Sequence, residues 1–306
     1  MNRVSTSNSY SAVLANLMSA QARQAQAQAQ VSTGKQASDL KGFGQGAEAL
    51  TAARALQSRV EGYIASNKVL AGRLEAQDLA LNQVAGAAGS ARAAIASAIA
   101  SGRADGLNAA LESALDAGVQ GLNVQFAGRY LFAGGQTAAP AAAANLGDLT
   151  APPAAGLFRN DSLKAVHRID ESTTLETGFL ADQVGGTLFD ALRQVQAFAD
   201  GAGGPFSGQL TQAQANFLTG MLSMFDAAQA GVTDKAAQNG LLQNRLDDTR
   251  AAQEDRQVML EKLVGDLSEV DIAEAATRLA QAQTAVQASA QVFATLRDTS
   301  LLDLLR

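Results

Sequence analysis

The chain has 306 residues, a net charge of −6, 47% hydrophobic but only 5% aromatic residues, and neither Trp nor Cys. The acidic balance and the lack of any Lys/Arg cluster argue against a nucleic-acid binder, the absence of a run of 18 apolar residues argues against a membrane span, and the missing cysteines leave the redox compartment open. All four prolines (Pro140, Pro152, Pro153, Pro205) lie between residues 140 and 205, so two proline-free, helix-compatible arms flank a different middle.

Residues 1–12 are polar, with no long apolar segment or clear cleavage site, so export, if it occurs, is expected without a cleaved signal peptide. A helix is predicted over about 11–32 with a weak seam at Leu14, Leu17, Met18, Ala25 and Val31. Its QARQAQAQAQ centre alternates, but Ala and Gln favour helix over strand. The Gly-rich stretch 32–46 is a break. A long helix then runs over about 47–101. Stepping by four and three from Leu56 gives Val60, Tyr63, Asn67, Leu70, Leu74, Gln77, Leu81, Val84, Ala88, Ala91, Ile95 and Ala98, apolar except at Asn67 and Gln77. That 3.5-residue period marks a coiled-coil-like seam, about 64 Å long at 1.5 Å per residue.

A second helix is predicted from Leu107 through Leu111, Leu115, Val119, Leu122 and Phe126. The run 128–137, GRYLFAGGQT, reads as a strand or hairpin bracketed by glycines. After an Ala/Pro-rich loop at 138–156, short strands are predicted at 157–160, 163–169 and 173–176. Helix resumes at 187 and again over about 211–265. Asp271 then caps a last helix, with Glu274 placed as in a capping box, whose seam is Ile272, Ala275, Leu279, Ala282, Val286, Ser289, Phe293 and Leu296. The expected fold is mostly α: a long antiparallel helical coiled-coil rod formed by N- and C-terminal arms, with a small β-rich domain inserted in the middle. The expected domains are 1–45 with 266–306, 46–135 with 187–265, and 136–186. Residues 1–45 carry net charge +3 and 266–306 carry −3, which favours pairing of the two ends.

The C-terminal sequence EVDIAEAATRLAQAQTAVQAS, ending SLLDLLR, resembles the C-terminal domain of bacterial flagellins and hook-associated junction proteins. RVST at 3–6 and VSTGK at 31–35 resemble that family's opening helix and its exit, and the Asn244–Leu246 triplet NRL fits its inner C-terminal helix. The motif at Gly128, Arg129, Tyr130, Leu131 and Phe132 is similar to one more typical of hook–filament junction members than of filament members. The loop QASDLKGFGQG departs from the family by lacking proline. The resemblance implies an exported structural subunit with no enzymatic activity and no cofactor, extracellular in the flagellum at the hook–filament junction. Its implied partners are a hook-side junction protein, flagellin, itself in a ring, and a flagellar export chaperone, with no nucleic acid and no membrane. The coiled-coil assembly residues would be Leu14, Leu17, Met18, Val31, Ile272, Leu279, Val286, Phe293, Leu296, Leu301 and Leu302. The rod seam would be Leu56, Val60, Tyr63, Leu70, Leu74, Leu81, Val84 and Ile95. A short filament flagellin and a cytoplasmic helical scaffold or chaperone are the other readings.

Features that suggest chemistry have simpler explanations. Gly34-Lys35 lacks the remaining P-loop positions and fits a helix C-cap. Gly42-x-Gly44-x-Gly46 lacks dinucleotide-binding spacing and fits a hinge. His167 is the single histidine, and with no cysteine it makes no transition-metal site. Glu269, Asp271 and Glu274 lack calcium-loop spacing. Asn67 and Gln77 either set register or face a wet gap, and Tyr130, Leu131 and Phe132 either anchor a subunit contact or form local core.

Overall fold

A computed structural model describes the backbone of residues 2–150 and 154–304, and the side-chain surroundings of residues 11–295 apart from 148 and 150–155. Six α-helices carry most of the chain: α1 (Asn2–Thr33), α2 (Gly46–Ser101), α3 (Leu107–Leu122), α4 (Ala181–Asp200), α5 (Gln212–Ser268) and α6 (Ile272–Leu304). Two antiparallel hairpins are the sheet structure among the described residues. They are β1 (Gln125–Phe126) with β2 (Arg129–Tyr130), and β3 (Val166–Arg168) with β4 (Thr174–Glu176). The fold is therefore mostly α, with N- and C-terminal helical arms and a small β-containing insert. The chain forms two compact units, Met1–Glu61 with Asp255–Arg306, and Gly62–Glu254.

In the first unit α1 and α6 lie antiparallel. The end of α1 meets the start of α6, where the Gln36 amide donates to the Ser268 carbonyl at 2.8 Å and the Val270 amide to the Gly34 carbonyl at 3.0 Å. Helix α1 begins at Asn2 rather than near residue 11, and at 32 residues it matches the 33 of α6.

In the second unit α2 and α5 run antiparallel, with Arg92 paired to Asp226 at 2.5 Å. Leu81, Val84, Ile95, Leu115, Leu188, Leu192 and Phe225 are buried together with Phe132 in the main core. A smaller cluster holds Leu70, Leu74, Ile169, Leu175 and Leu246. Gly121 lets α3 lie against α2, because a Cβ there would stand 2.7 Å from Val84 Cγ2. Helix α2 is long and apolar enough to cross a membrane by length and composition alone, but here its apolar stations are packed into these clusters.

The β content is smaller than the sequence suggests. The strand expected at 157–160 is reduced to a single bridge between Ala142 and Phe158. Side chains in that stretch capture the backbone instead. Asn160 Oδ1 accepts from the Asp182 amide at 3.2 Å, at the start of α4, and Asp161 Oδ1 accepts from the Gly135 and Leu163 amides at 2.8 and 2.9 Å. Helix α4 accordingly starts at Ala181, not 187. Pro152 and Pro153, in the expected loop, lie outside the described residues.

Candidate assembly surfaces

The α1–α6 pair meets along two matched 4-3 stripes. On α1 the stripe of buried or half-buried positions is Val13, Leu17, Ala20, Gln24, Ala27 and Val31, with Gln30 buried beside it; on α6 the positions are Ala275, Leu279, Ala282, Val286, Ser289 and Phe293. Of the stripe positions only Ala20, Ala27 and Ala275 are fully buried. Leu14, Met18, Ile272 and Val292 lie off the stripes, and Met18 and Ile272 are 63% and 60% exposed. Leu296, Leu301 and Leu302 fall outside the described side chains. The fully buried seam positions are thus alanines, and Leu14 and Met18 of α1 face outward. Val13, Ala20 and Ala27 were absent from the expected seam. Their signal was the unbroken heptad phase from Val13 to Val31, which small alanines obscured.

The ends of this pair follow local rules. Gly34 (φ 68°) closes α1 with its amide donating to the Gln30 carbonyl. Asp39 accepts from the Gly42 amide at 3.0 Å and caps a 3₁₀ turn at Leu40–Phe43, so the loop expected as an open hinge has a defined turn in it. Asp271 Oδ1 accepts from the Ala273 and Glu274 amides at 2.8 and 3.3 Å. Glu274 pairs with Arg278 at 2.5 Å; the cap is the Asp271 half of a capping box. The opposite charges of the two ends do not form a cross-helix ion pair among the described residues. Arg23 bonds Ser19 on its own helix, and Arg23 and Arg278 line one open groove of about 370 Å³ with Gln30 and Gln281.

In the second unit, every α2 station from Asn67 to Ala98 is buried. Leu56, Val60 and Tyr63 precede them, Val60 buried and the other two half-buried. Asn67 and Gln77 have a definite task. Asn67 Nδ2 donates to the Ile169 carbonyl and to Gln253 Oε1, both at 2.9 Å, and Gln253 Nε2 donates to the same carbonyl at 2.8 Å. Gln77 Nε2 donates to the Thr177 carbonyl at 3.0 Å, and Asn239 Nδ2 to the Leu74 carbonyl at 2.8 Å. The buried amides therefore fasten the β3–β4 hairpin to α2 and α5. Gln253 and Asn239 are polar stations on α5 that the sequence reading passed over; they sit in phase with Leu246.

The 128–137 motif makes its own turn. Ala127 (φ 50°) and Gly128 (φ 74°) form a two-residue hairpin loop with both central residues left-handed. Arg129 is exposed and Tyr130 half-buried, while Leu131 and Phe132 are core residues. Gly134 (φ 68°) and Gly135 accommodate the Asp161 carboxylate, since a Cβ on Gly134 would stand within bonding range of Asp161 Oδ1. The Gly135 and Leu163 amides hold the Asp161 carboxyl below its usual value. His167 is half-buried, with Nδ1 2.8 Å from Thr177 Oγ1; burial, then Arg73, lowers its pKa. Among the described residues no three His, Cys, Asp or Glu side chains converge as a metal site.

The bacterial flagellin N-terminal helical region matches residues 4–137, and the bacterial flagellin C-terminal helical region matches residues 222–305. Together the two matches cover well over half of the chain. A protein assigned as a flagellar hook-associated protein from Vibrio parahaemolyticus shares the fold, with a TM-score of 0.61 at 18% identity over 73% of this chain and 97% of that one. FlgL of Bacillus cereus shares it with a TM-score of 0.53 at 14% identity, over 69% of this chain and 96% of that one. No curated protein matches the chain by sequence.

Proposed function

The chain belongs to the bacterial flagellin family of structural flagellar proteins, and from that membership we propose that it is an exported axial subunit joining the hook to the filament. The observation that carries this reading is the under-packed α1–α6 pair. Its fully buried apolar side chains among the described residues are three alanines, while Met18 and Ile272 stay mostly exposed. Burying an alanine face gains little against about 1–2 kcal/mol of backbone entropy per ordered residue. Neighbouring copies in a helical array supply the missing contacts.

In this mechanism the α1–α6 pair of each copy continues the inner core of the tube. The insert at 136–186 adjusts to two different neighbours, a hook-side junction protein and flagellin, with further copies completing a ring. An export chaperone holds the terminal segments before secretion. The protein acts by assembly, without catalysis. The resemblance of the 128–137 motif to junction members favours this over a short filament flagellin.

Electron microscopy of the concentrated protein, with and without filament seeds, tests it. Short rings, caps on hook ends, or no self-polymer are expected. Long filaments grown from this protein alone would make it a flagellin instead.

A further inference from the structure

In the middle of α5 stands the chain's single Asn-Gly step, Asn239–Gly240; every other asparagine is followed by a residue that carries a side chain. Asn239 is fully buried, one heptad from Val232 on one side and from Leu246 on the other, and both of those are buried as well. Its Nδ2 donates to the Leu74 carbonyl of α2 at 2.8 Å. Its Oδ1 is buried without a hydrogen-bond partner. The site thus already holds an acceptor without a donor, and Nδ2 is what lets Asn239 face a carbonyl.

An Asn-Gly step is labile wherever the backbone is free, because glycine has no Cβ to hinder the approach. The Gly240 nitrogen gives its proton to a solvent base and attacks Asn239 Cγ. The new C–N bond closes a succinimide ring; the Cγ–Nδ2 bond breaks, and Nδ2 takes up a proton and leaves as ammonia. Water then opens one or the other C–N bond of the ring and leaves aspartate or isoaspartate. The fold withholds each requirement. Gly240 lies inside α5, so its amide donates to the carbonyl four residues back. Ring closure needs a backbone turn that the helix does not allow. The Asn239 side chain is held against Leu74, in a site closed to the water that must take the proton and open the ring.

We propose that Asn239–Gly240 is a deamidation site gated by folding: closed in the native second unit, open whenever α5 is unfolded, and irreversible once used. The product does not fit the fold. An ionised aspartate at 239 offers acceptors only, and it would set a buried carboxylate against the Leu74 carbonyl with no donor to offset its burial. Isoaspartate fits worse, because it lengthens the main chain inside α5 and breaks the helical register between Val232 and Leu246. The step therefore limits how long a chain can stay unfolded and still return to the folded pool. It takes place within one chain, so its failure would leave the proposed function standing.

The full-length chain is aged in mildly alkaline buffer, once native and once in urea, and the tryptic peptide 236–245 is followed by mass spectrometry with fragmentation to place the change at 239. In urea the conversion should match that of a free peptide of the same sequence. In the native chain it should be slower by roughly a hundredfold or more, since only the open population reacts. The urea-aged chain is then diluted to refold, and the refolded fraction should fall in step with the fraction converted. Gly240→Ala is the control. A Cβ there meets nothing within 4 Å and favours the helix, yet it hinders ring closure, so this variant should age in urea without losing its ability to refold. Asn239→Asp, made directly, should unfold at a lower urea concentration than the fresh parent. Native conversion as fast as the peptide's overturns the proposal. So does a converted chain, or Asn239→Asp, with the parent's unfolding midpoint, and so does Gly240→Ala losing refolding as quickly as the parent, which would place the damage elsewhere.

Discussion

The side-chain amide of Gln77, in the middle of α2, donates to the main-chain carbonyl of Thr177, 100 residues away, at 3.0 Å. With the shared Ile169 carbonyl, on which Asn67 and Gln253 both converge, it fixes the β3–β4 hairpin to the helices. An isolated two-stranded hairpin is marginal in water, so these amides and the buried Leu175 and Ile169 side chains are what hold the β3–β4 hairpin to the helices.

Gln77→Leu should destabilise the second unit by about 1–3 kcal/mol, because it leaves a buried carbonyl without its side-chain donor. Asn67→Leu should do less harm at the hairpin, since Gln253 still donates to Ile169 at 2.8 Å. Urea unfolding followed by circular dichroism compares the two midpoints. A larger loss in Asn67→Leu would show that the tether works differently.

Ala127 is held at φ 50° in the β1–β2 turn, a conformation costing an L-residue about 1–2 kcal/mol. Ala127→Gly and Ala127→Asn should therefore raise the melting temperature, and Gly128→Ala (φ 74° in the parent) should lower it. Calorimetry of the three variants reads the sign directly.

His167 gives the second unit a pH dependence of known sign. Its pKa in the fold is lowered by burial and then by Arg73, so the unfolded chain binds the proton more readily. The histidine's contribution to stability is intact above its ordinary value of about 6.5 and falls as the pH drops below it toward the folded pKa. His167→Gln should flatten the slope of stability between pH 7 and 5 (about one histidine titration wide). Denaturation midpoints across that window check it.

Much of the helical framework was legible in the sequence. The 4-3 period from Leu56 to Ala98 is carried by Leu, Val and Ile against polar surroundings, and every described station from Asn67 onward is buried. The positions of Asn67 and Gln77 were legible too, but their purpose was not, since the acceptors lie at Ile169 and Thr177, far away in the chain. On α1 the eye follows Leu14 and Met18, yet the partner helix sits against Ala20 and Ala27, because close helix packing selects small residues that hydropathy barely marks. At 157–160 the expected strand gives way to side-chain captures of backbone amides by Asn160 and Asp161.

Hydrogen exchange of the free chain and of its assembled form tests the account most directly. In the free chain the amides of α1 around 13–31 and of α6 around 275–293 should exchange far faster than those of α2 around 67–98. Incorporation into an assembly should bring both sets to similar protection. If the α1 and α6 amides are already as protected as α2 in the free chain, the terminal pair is self-sufficient. Its role as the element completed by neighbouring subunits would then be wrong.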